Sequence, residues 1–488
     1  MAGAPPAGAT LVQVGTNGGP LARAAGGTVV SGDLGIWNVP ERAVASLRRA
    51  HVVVRTEPNR LLVPAATALE EPLAANEWWR SAIGADAVPA PGPGKPVTIV
   101  DSGIDLSHEE FAARPNTAAL NDQTTTLEDD DHGTEVASVI GAPINGRGLA
   151  GVYPQVVLRS WDASPFGFIT TASAVRGITE AARRGAGVIN LSFGGEDPDP
   201  LLEEAILYAF RRGSLVVVSA GNEGLEGNPL SYPAAYPHVL TVAATDESNV
   251  VAVFSSQSPF VDLAAPGRRI PVAEPVADDP SGYILASGTS FSSPMVAAAA
   301  AWVWTARPEL DNTQLFDVMR FSSRDVDAPG YDSATGFGLL NIPSALSFAV
   351  PARDPQEPND DVEQVSPRGL FAGGQPAIVT PTRRTAAFAA RLDRREDPRD
   401  LYRAYVPPHG SLTARTSGGP VNLRVLPAGA RSTDAAPLGA SARRGTQPDT
   451  VTIRSRSARG VYVYVDVRLE GTPARSGYAL RVTAAARR

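Results

Sequence analysis

Five compact runs of apolar residues, separated by stretches with helical periodicity, constrain the fold of this 488-residue chain more than any other feature. A strand that is buried on both faces is apolar almost throughout, and these runs have that composition. They lie at 97–100, 156–159, 187–191, 215–218 and 239–243. Between them, 172–184 and 201–212 repeat apolar residues at helical spacing. Strands that alternate with helices predict a doubly wound parallel sheet and an α/β fold for residues 76–350.

The segments on either side of residues 76–350 differ from them in composition, so three parts are predicted: 1–75, 76–350 and 351–488. The first part reads as an α+β segment followed by a linker from 64 to 75. Its predicted strands are 10–14, 27–30 and 51–54, with 60–63 as a further candidate, and its predicted helix is 40–49, which begins with a proline.

The third part is predicted to be all-β. Residues 351–360 are polar and rich in proline, which is typical of a linker. Short alternating strands separated by Gly and Pro then predict a β-sandwich. These strands are expected at 386–392, 401–406, 421–426, 451–454, 460–467 and 477–482.

Composition excludes several kinds of site and partner. The chain has no Cys, which excludes disulfides, thiolate zinc sites and cysteine nucleophiles. It has five His residues, so any histidine-based catalysis must use one of them. The net charge of −8 argues against a nucleic-acid partner, because such binding needs a basic surface. The apolar run 296–304 is too short for a membrane span, and the first residues lack the basic and apolar regions of a secretory signal.

Three polar residues stand where predicted strands end or helices begin. Asp101 ends the first strong strand, His132 precedes a helical run at 135–140, and Ser290 lies where a loop enters the apolar helix 295–304. Taken singly, each has an ordinary structural explanation as a turn Asp, a capping His or an N-cap Ser. Asn222 follows the strand 215–218 and could equally be a turn residue.

Together, these residues supply what acyl transfer needs. A hydroxyl nucleophile requires a base that takes its proton and a carboxylate that orients the base. The chain order is Asp, His, Ser, with separations of 31 and 158 residues (132 − 101 and 290 − 132). Ligands gather at the carboxyl ends of strands in open parallel sheets, which is where these residues are expected. An Asn amide nearby could donate a hydrogen bond to an oxyanion.

Residues 76–350 resemble the subtilisin-like serine proteases (subtilases, peptidase family S8). The resemblance rests on motifs that run in family order and include the chain order of Asp101, His132 and Ser290. The matching stretches are 97–105, 132–137, 188–195, 218–224, 232–237 and 288–294, with minor matches at 254–256, 264–267 and 336–341. A single motif of this kind can arise by chance, whereas the ordered set is specific.

The resemblance implies a serine endopeptidase that hydrolyses peptide bonds through an acyl-enzyme. Ser290 would attack the carbonyl carbon, His132 would carry the proton, and Asp101 would orient His132. Asn222 and the backbone N–H of Ser290 would bind the oxyanion. Two segments would flank the substrate as edge strands, and a third would form one wall of the primary specificity pocket. The two flanking segments are Ser192, Phe193 and Gly194, and Pro165, Phe166 and Gly167. The pocket wall is Ser219, Ala220 and Gly221.

Several positions depart from the family pattern beside the catalytic residues. Glu135 and Ser138 replace a His and a Gly that relatives often carry, and Asp131 stands where Gly is common. The added negative charge is expected to raise the pKa of His132 and to give an alkaline pH optimum. Phe291 replaces a Met beside the nucleophile, which predicts tolerance of peroxide.

Other departures concern the pocket and the metal content. Ser231 stands where many relatives have Gly, which predicts a narrower pocket floor, and Pro233 is expected to follow a cis peptide bond. The segment 141–150 is shorter than the calcium loop of many relatives. No cofactor is required for the chemistry and no metal ligand is assigned. The carboxylates of Glu128, Asp129 and Asp130 could bind a structural calcium elsewhere, although their spacing does not demand a calcium ion.

The flanking parts have resemblances of their own. In the first part, the stretches 26–30 and 43–54 are the clearest match to a family pattern. On them, residues 9–64 resemble the inhibitor-I9-like propeptide of subtilases, which implies a self-processing zymogen cut somewhere in 64–78. The third part carries the motifs Glu-Pro-Asn-Asp at 357–360, Asp-Leu-Tyr at 400–402 and Ser-Gly-Tyr-Ala-Leu-Arg-Val at 476–482. On these motifs, residues 355–485 resemble the bacterial pre-peptidase C-terminal domain. Expected partners are therefore protein or peptide substrates and the chain's own propeptide, and the expected location is extracellular or in the cell envelope. Two alternatives stay open: a processing peptidase dedicated to one partner, and a non-catalytic binding protein on a subtilase scaffold.

Overall fold

The computed structural model describes residues 9–15, 17–58, 71–124, 131–276, 278–471 and 474–486. The chain divides into two compact units, Met1–Ala68 and Leu69–Arg488. The candidate strand at 60–63, residues 64–70 of the predicted cleavage interval and the acidic residues 128–130 lie outside the described residues.

The first unit is an antiparallel sheet of four strands with two helices. The strand order is β2-β3-β1-β4. Its elements are β1 (Ala9–Val14), α1 (Gly19–Ala24), β2 (Thr28–Ser31), β3 (Ile36–Pro40), α2 (Glu41–Arg49) and β4 (Val53–Pro58). The α+β prediction fits, but α1 and β3 were not predicted, and Pro40 ends β3 instead of starting α2. His51 has a φ of 55° and lies before β4, so the strand predicted from 51 begins two residues later.

The second unit opens with a parallel sheet of seven strands, in the order β11-β10-β9-β8-β5-β7-β6. These strands are β5 (Pro96–Asp101), β6 (Thr117–Ala119), β7 (Val157–Asp162), β8 (Val188–Leu191), β9 (Leu215–Ser219), β10 (Val239–Thr245) and β11 (Leu263–Pro266). A separate antiparallel pair, β12 (Ile270–Ala273) and β13 (Tyr283–Ala286), follows. The helices of this α/β part are α3 (Trp79–Ala82), α4 (His132–Gly141), α5 (Thr171–Arg183), α6 (Pro200–Arg211), α7 (Thr289–Ala306), α8 (Asn312–Phe321) and α9 (Ile342–Ser347).

Helices cover both faces of this sheet, as the continuous apolar runs predict. One face packs alternate residues of the strands against α4 and α7, including Val97, Ile99, Val217 and Val242. The other face packs the intervening residues against α5 and α6, including Val100, Ile189, Val216 and Val218. A strand with two buried faces is mostly apolar in its middle, and Asp101, Asp162 and Ser219 stand at the last positions of β5, β7 and β9.

The remainder of the second unit is a sandwich of two antiparallel sheets, in the orders β14-β21-β16-β19 and β15-β20-β17-β18. The short helix α10 (Val362–Val365) precedes it. The strands are β14 (Thr385–Asp393), β15 (Arg399–Val406), β16 (Ser411–Ser417), β17 (Val421–Leu426), β18 (Gly439–Ser441), β19 (Thr450–Arg454), β20 (Val461–Leu469) and β21 (Arg475–Ala485). Residues of both sheets share one hydrophobic core. The predicted all-β sandwich is therefore present, with β16 and β18 as unpredicted additions.

The proline-rich segment 351–360 is less solvated than its composition suggested. Asp354 and Asn359 are buried, at 6% and 0% exposure. Asn359 holds the start of β15, because both its backbone oxygen and its Oδ1 accept hydrogen bonds from the backbone N–H of Leu401. The segment is thus a packed part of the sandwich as well as a connection.

Two further observations bear on the sequence predictions. The Tyr232–Pro233 peptide bond is cis, as expected. The Glu357–Pro358 bond is also cis, which was not predicted. Within the described part of the chain, no helix combines the length and apolar character needed to cross a membrane.

Candidate active site

The ends of three elements bring Asp101, His132 and Ser290 to the same region. Asp101 is the last residue of β5, His132 is the first of α4, and Ser290 is the second of α7. The buried Asp101 carboxylate Oδ1 lies 2.7 Å from Nδ1 of His132. Phe291, the residue after Ser290, has its ring centroid 6.2 Å from that of His132. The acid, the base and the start of the Ser helix are therefore neighbours.

The close approach of α4 to the loop after β5 depends on a glycine. A Cβ atom placed on Gly133 would stand 1.9 Å from the backbone oxygen of Gly103, and neither backbone can yield. The Gly133 N–H also donates to Oγ of Ser102, at 2.9 Å. Gly133 therefore lets His132 sit directly against the end of β5, where Asp101 can reach it.

Ser290 and Asn222 meet at the beginning of α7. The first N–H groups of a helix have no partner within the helix and carry the positive end of its dipole. The Oδ1 atom of Asn222 accepts hydrogen bonds from the N–H and the hydroxyl of Thr289, at 2.9 and 3.0 Å. Both bonds use the oxygen of the Asn222 amide, so neither of them engages its NH₂ group. The hydroxyl Oγ of Ser290 is 3.4 Å from the backbone oxygen of Ser192.

A cleft of about 240 Å³ joins these residues to most of the predicted substrate positions. Its lining contains Ser290 and Asn222 together with Ser192, Phe193, Gly194, Ser219 and Gly221. Ser231 also lines it, and its Oγ lies so close to Gly194 that a Cβ there would stand 2.5 Å away.

Four of the predicted positions lie elsewhere. Ala220 is buried behind the cleft, where it packs with Ala243, Val261 and Ala264. Pro165, Phe166 and Gly167 belong to a turn, closed by a hydrogen bond from the Gly167 N–H to the Ser164 oxygen, and do not line the cleft. The Phe166 side chain is 77% exposed. The edge strand expected at 165–167 is therefore a turn in this structure.

Two acidic residues in the lining escaped the sequence analysis. Glu196 and Glu223 both face the cleft. Oε2 of Glu223 accepts a hydrogen bond from Oγ of Ser256, at 2.8 Å, which fixes the carboxylate beside Gly221. The sequence contained a signal that Glu223 lines the cleft, because Glu223 directly follows Asn222 in the motif at 218–224. For Glu196 the only signal was its position two residues after Gly194.

The surroundings of His132 raise its pKa to about 9. Burial alone would lower the pKa, but the charge of Asp101 and its hydrogen bond outweigh that effect, and the charges of Glu135 and Asp131 add to it. Burial also raises the pKa of Glu135 itself, to about 8, and that of Glu274 to about 7, the latter with help from Asp131. The predicted rise in the pKa of His132 is therefore present, and its cause includes the acidic residues that depart from the family pattern.

The short segment 141–150 satisfies nearby carboxylates with its own backbone. The N–H groups of Gly146 and Arg147 donate to the two oxygens of Glu71, at 2.9 and 2.7 Å. The N–H groups of Leu149 and Ala150 donate in turn to Glu110 and Glu77. Carboxylates that would otherwise suit a cation are thus engaged by amide groups here. The alternative calcium ligands Glu128, Asp129 and Asp130 lie outside the described residues.

Comparisons with known proteins concern mainly the α/β part of the chain. Residues 92–338 match the sequence profile of the subtilase family. The chain is 34% identical to subtilisin Savinase of Lederbergia lenta over 257 residues, which cover 52% of this chain and 91% of that protein. It is 30% identical over 273 residues to the minor extracellular protease Epr of Bacillus subtilis, and 35% identical over 293 residues to a probable subtilase-type serine protease of Deinococcus radiodurans. Those matches cover 55% and 51% of this chain but only 40% of each of those longer relatives.

Solved structures show the same fold at lower identity. Fervidolysin of Fervidobacterium pennivorans, described as a keratinolytic enzyme related to subtilisin, aligns with a TM-score of 0.53 at 20% identity, over 91% of this chain and 84% of its own. A lanthipeptide protease aligns with a TM-score of 0.50 at 23% identity, over 59% and 99%. At these identities the likeness concerns the fold alone. The sequence profile covers half of the chain and Savinase is matched over most of its length, so this chain belongs to the subtilase family.

Proposed function

We propose that the chain is a serine endopeptidase, made as a self-processing zymogen, that hydrolyses peptide bonds through Asp101, His132 and Ser290. The observation that carries the proposal is the 2.7 Å contact between Asp101 and His132. The His132 ring lies 6.2 Å from that of Phe291, the residue after Ser290, and Ser290 lines a cleft with Asn222. A buried carboxylate that holds an imidazole beside a helix-start Ser is the arrangement that activates a hydroxyl for acyl transfer.

In the proposed reaction, Ser290 Oγ attacks the carbonyl carbon of the scissile peptide while Nε2 of His132 takes the hydroxyl proton. Asp101 accepts the Nδ1–H of His132, which keeps Nε2 free to act as the base and stabilises the imidazolium that forms. The carbonyl oxygen becomes an oxyanion between the Asn222 NH₂ group and the Ser290 N–H. Loss of one such donor lowers kcat by about 10²–10³-fold, a range known from subtilisin itself.

The tetrahedral intermediate then collapses to an ester between the substrate carbonyl carbon and Ser290 Oγ. The C–N bond breaks, and His132 gives its proton to the leaving amine. A water molecule next attacks the ester while His132 takes one of its protons, and the second collapse returns that proton to Ser290 Oγ. The two half-reactions together consume one water and release both parts of the peptide, with Ser290 and His132 restored.

Comparison of the full-length chain with Ser290→Ala tests this proposal. We expect the parent chain to lose its N-terminal segment on incubation and to react with a serine-directed fluorophosphonate. Ser290→Ala should do neither while keeping the same circular dichroism spectrum. A parent chain that neither cuts itself nor takes the label would favour the non-catalytic scaffold instead.

The flanking parts extend the proposal. We assign residues 9–64 the role of an intramolecular inhibitor, on the α+β structure of its described elements between Ala9 and Pro58 and on the resemblance to subtilase propeptides. We assign the β-sandwich to a pre-peptidase C-terminal domain, and we place the protein outside the cell or in its envelope, as for the extracellular relative. A processing peptidase dedicated to one partner is the alternative, and cleavage of a random peptide library separates the two. A broad range of cleaved peptides supports a general endopeptidase, and a single cleaved motif supports the alternative.

A further inference from the structure

The net charge of the chain conceals two parts of opposite sign. Residues 351–488 carry 22 Arg against 13 Asp and Glu, a net charge of +9. Residues 1–350 carry 21 Lys and Arg against 38 Asp and Glu, a net charge of −17. Burial sharpens the contrast, because two of the four acids that follow residue 400, Asp449 and Asp466, are 0% exposed. The β-sandwich therefore has a basic surface on a chain that is acidic over the rest of its length.

One sheet of the sandwich, β14-β21-β16-β19, turns a largely exposed face to solvent. Its inward residues belong to the shared core, and its outward residues alternate with them. At one end this face packs against α8, where Arg391 of β14 lies 3.2 Å from Asp317. Beyond that end, every outward residue is Thr, Ser, Ala or Arg. We call these residues the outer face; they are the alternate positions of 385–389, 479–485, 411–417 and 450–454.

Two arginines stand side by side on the outer face. Arg481 of β21 is directly opposite Arg415 of β16, and both side chains are exposed. Like charges in such a pair repel each other, because the Cβ atoms are only about 4.5–5.5 Å apart. No hydrogen bond or ion pair holds either side chain within the described part of the chain. A third arginine, Arg454, extends from the same face of β19. The outer face thus presents positive charge that no carboxylate of its own balances.

A row of hydroxyl groups lies next to the arginine pair. Thr385, Thr483, Thr413 and Thr452 are in register with one another across all four strands. Oγ1 of Thr413 lies 2.9 Å from Oγ1 of Thr452. Because neighbouring strands are about 4.8 Å apart, the row is about 14 Å long, and the arginine row runs beside it at about 7 Å. The outer face therefore combines a line of hydroxyls with a line of charge.

This combination favours one class of ligand. A guanidinium group binds carboxylate or sulfate oxygens through two parallel hydrogen bonds, and Thr hydroxyls both donate to and accept from sugar hydroxyls. Surfaces that bind lipid bilayers insert Trp, Phe or Leu, and surfaces that bind single-stranded nucleic acid stack bases on aromatic rings. The outer face has neither kind of side chain. Its chemistry fits a polymer that carries both hydroxyl and acidic groups.

We propose that the outer face binds a linear acidic polysaccharide, with Arg415, Arg481 and Arg454 contacting its carboxylate or sulfate groups and the threonine row contacting its hydroxyls. The same polymer would repel residues 1–350, because their net charge is negative, so binding is confined to the sandwich. The inference does not depend on peptidase activity.

Affinity electrophoresis of full-length Ser290→Ala protein tests the proposal, since this variant cannot digest itself under the proposed function. Gels that contain polygalacturonate supply carboxylates, gels that contain dextran sulfate supply sulfates, and gels that contain neutral dextran supply hydroxyls alone. We expect retardation by at least one acidic polymer and none by neutral dextran. The acidic polymer that retards more strongly identifies the preferred oxyanion. Dissociation constants from isothermal titration should increase with NaCl concentration, because salt screens exposed charges.

The double variant Arg415→Gln/Arg481→Gln, in the Ser290→Ala background, should weaken binding about 10-fold, as expected for the loss of two exposed charge-assisted contacts. Its unfolding temperature should not fall, because the substitution removes a repulsive pair. The double variant with Lys at both positions keeps the charge but loses the planar fork, so its affinity should lie between the two. Arg368→Gln/Arg431→Gln is the matched control: both residues are exposed and lie outside this sheet, and the affinity should change less than about 2-fold.

Three results would overturn the proposal. Absence of retardation by both acidic polymers would show that the outer face does not bind them. An equal loss of affinity in the control variant would assign binding to net charge alone. Tighter binding to DNA or to phosphatidylglycerol vesicles, lost in the Arg415→Gln/Arg481→Gln variant, would assign the face to another class of partner. If that variant fails to fold, the Lys variant still tests the contact, since affinity equal to that of the parent would contradict a role for the guanidinium groups.

Discussion

The side chain of His132 controls the pH range in which the proposed chemistry can run. The imidazole must be neutral to take a proton from Ser290, and its pKa is about 9 against an ordinary value near 6.5. We therefore expect kcat/KM to rise with pH up to and through about 9. Glu135→Gln removes a carboxylate that is itself ionised above about pH 8, so the pKa of His132 should fall and the rise should move to lower pH. Profiles of kcat/KM against pH, recorded between pH 6 and 11, measure this shift.

An exposed carboxylate elsewhere, that of Glu309, provides the control for this measurement. Glu309→Gln removes a surface carboxylate that pairs with Arg307 at 3.2 Å, and it should leave the profile unchanged. A profile of Glu135→Gln that coincides with the parent, or that moves to higher pH, would contradict the assigned cause of the raised pKa.

Phe291 decides how the enzyme should respond to oxidants. It occupies the position next to the nucleophile, is 4% exposed, and has no atom that peroxide oxidises readily. The two methionines in the described part of the chain, Met295 and Met319, are both fully buried. We expect activity to persist in peroxide, and we expect Phe291→Met to introduce inactivation, because a thioether beside Ser290 would become a polar sulfoxide. Residual activity after timed exposure measures both, and equally rapid loss in the parent would refute the explanation.

At the scale of elements, the cleft between the ends of β8, β9 and α7 carries a net negative lining. Glu196 and Glu223 line it, and no Lys or Arg does so among the described residues. We therefore expect faster cleavage after Arg or Lys than after Leu of similar size. Glu223→Gln should lower kcat/KM for the basic substrate about 5-fold, the factor that about 1 kcal/mol of a solvent-accessible ion pair supplies, and should spare the Leu substrate.

The control for this cleft prediction is a neighbouring acid that does not line it. Glu226→Gln, in the short turn after Glu223, changes the same charge at an exposed position and should preserve the ratio of the two kcat/KM values. A ratio that is unchanged in Glu223→Gln, or changed equally in both variants, would remove Glu223 from substrate selection.

The sequence analysis succeeded where one element carries its own signal. The runs at 97–100 and 215–218 are apolar because both faces of the sheet are covered, so they could be recognised without knowledge of their neighbours. Strand β16 was missed because its exposed face is filled by Ser, Thr and Arg, which leaves only Leu412 and Ala414 as apolar residues facing the core. The edge strand expected at 165–167 was carried over from the resemblance, and the residues there form an exposed turn instead.

At the scale of the whole molecule, contacts between distant segments could not be predicted from local patterns. The carboxylates of Asp354 and Glu357 lie close to those of Asp397 and Asp400, and no local pattern in the sequence predicts that proximity. The polar composition of 351–360 predicted a linker, yet Asp354 in this segment is buried and lies close to Asp397 and Asp400 of the sandwich. Burial of a charged group depends on what the rest of the chain places around it, and a single sequence does not contain that information in local form.

Arg320 joins the α/β part to the β-sandwich through a buried ion pair on each side. Its guanidinium Nε is 2.9 Å from Oδ1 of Asp262 in the α/β part, and its Nη2 is 3.4 Å from Oδ2 of Asp393 in β14. The side chains of Arg320 and Asp262 are 1% and 3% exposed, so this ion pair is shielded from water. Removal of one partner from a buried pair costs about 3–5 kcal/mol, because the other charge stays buried without compensation.

We therefore expect Arg320→Met, in the Ser290→Ala background, to lower the free energy of unfolding by about 3–5 kcal/mol at pH 8. Arg353→Met removes an arginine that is 71% exposed and pairs with Asp311 at 3.6 Å, so its effect should stay within about 1 kcal/mol. Burial already raises the pKa of Asp262 to about 6 despite the charge of Arg320, and loss of that charge would raise it further. A protonated Asp262 needs no cation, so the deficit of Arg320→Met should shrink as the pH falls from 8 to 5. Denaturant titrations at both pH values measure it, and a deficit that matches Arg353→Met, or that grows toward pH 5, would show that Arg320 does not hold the two parts together through charge.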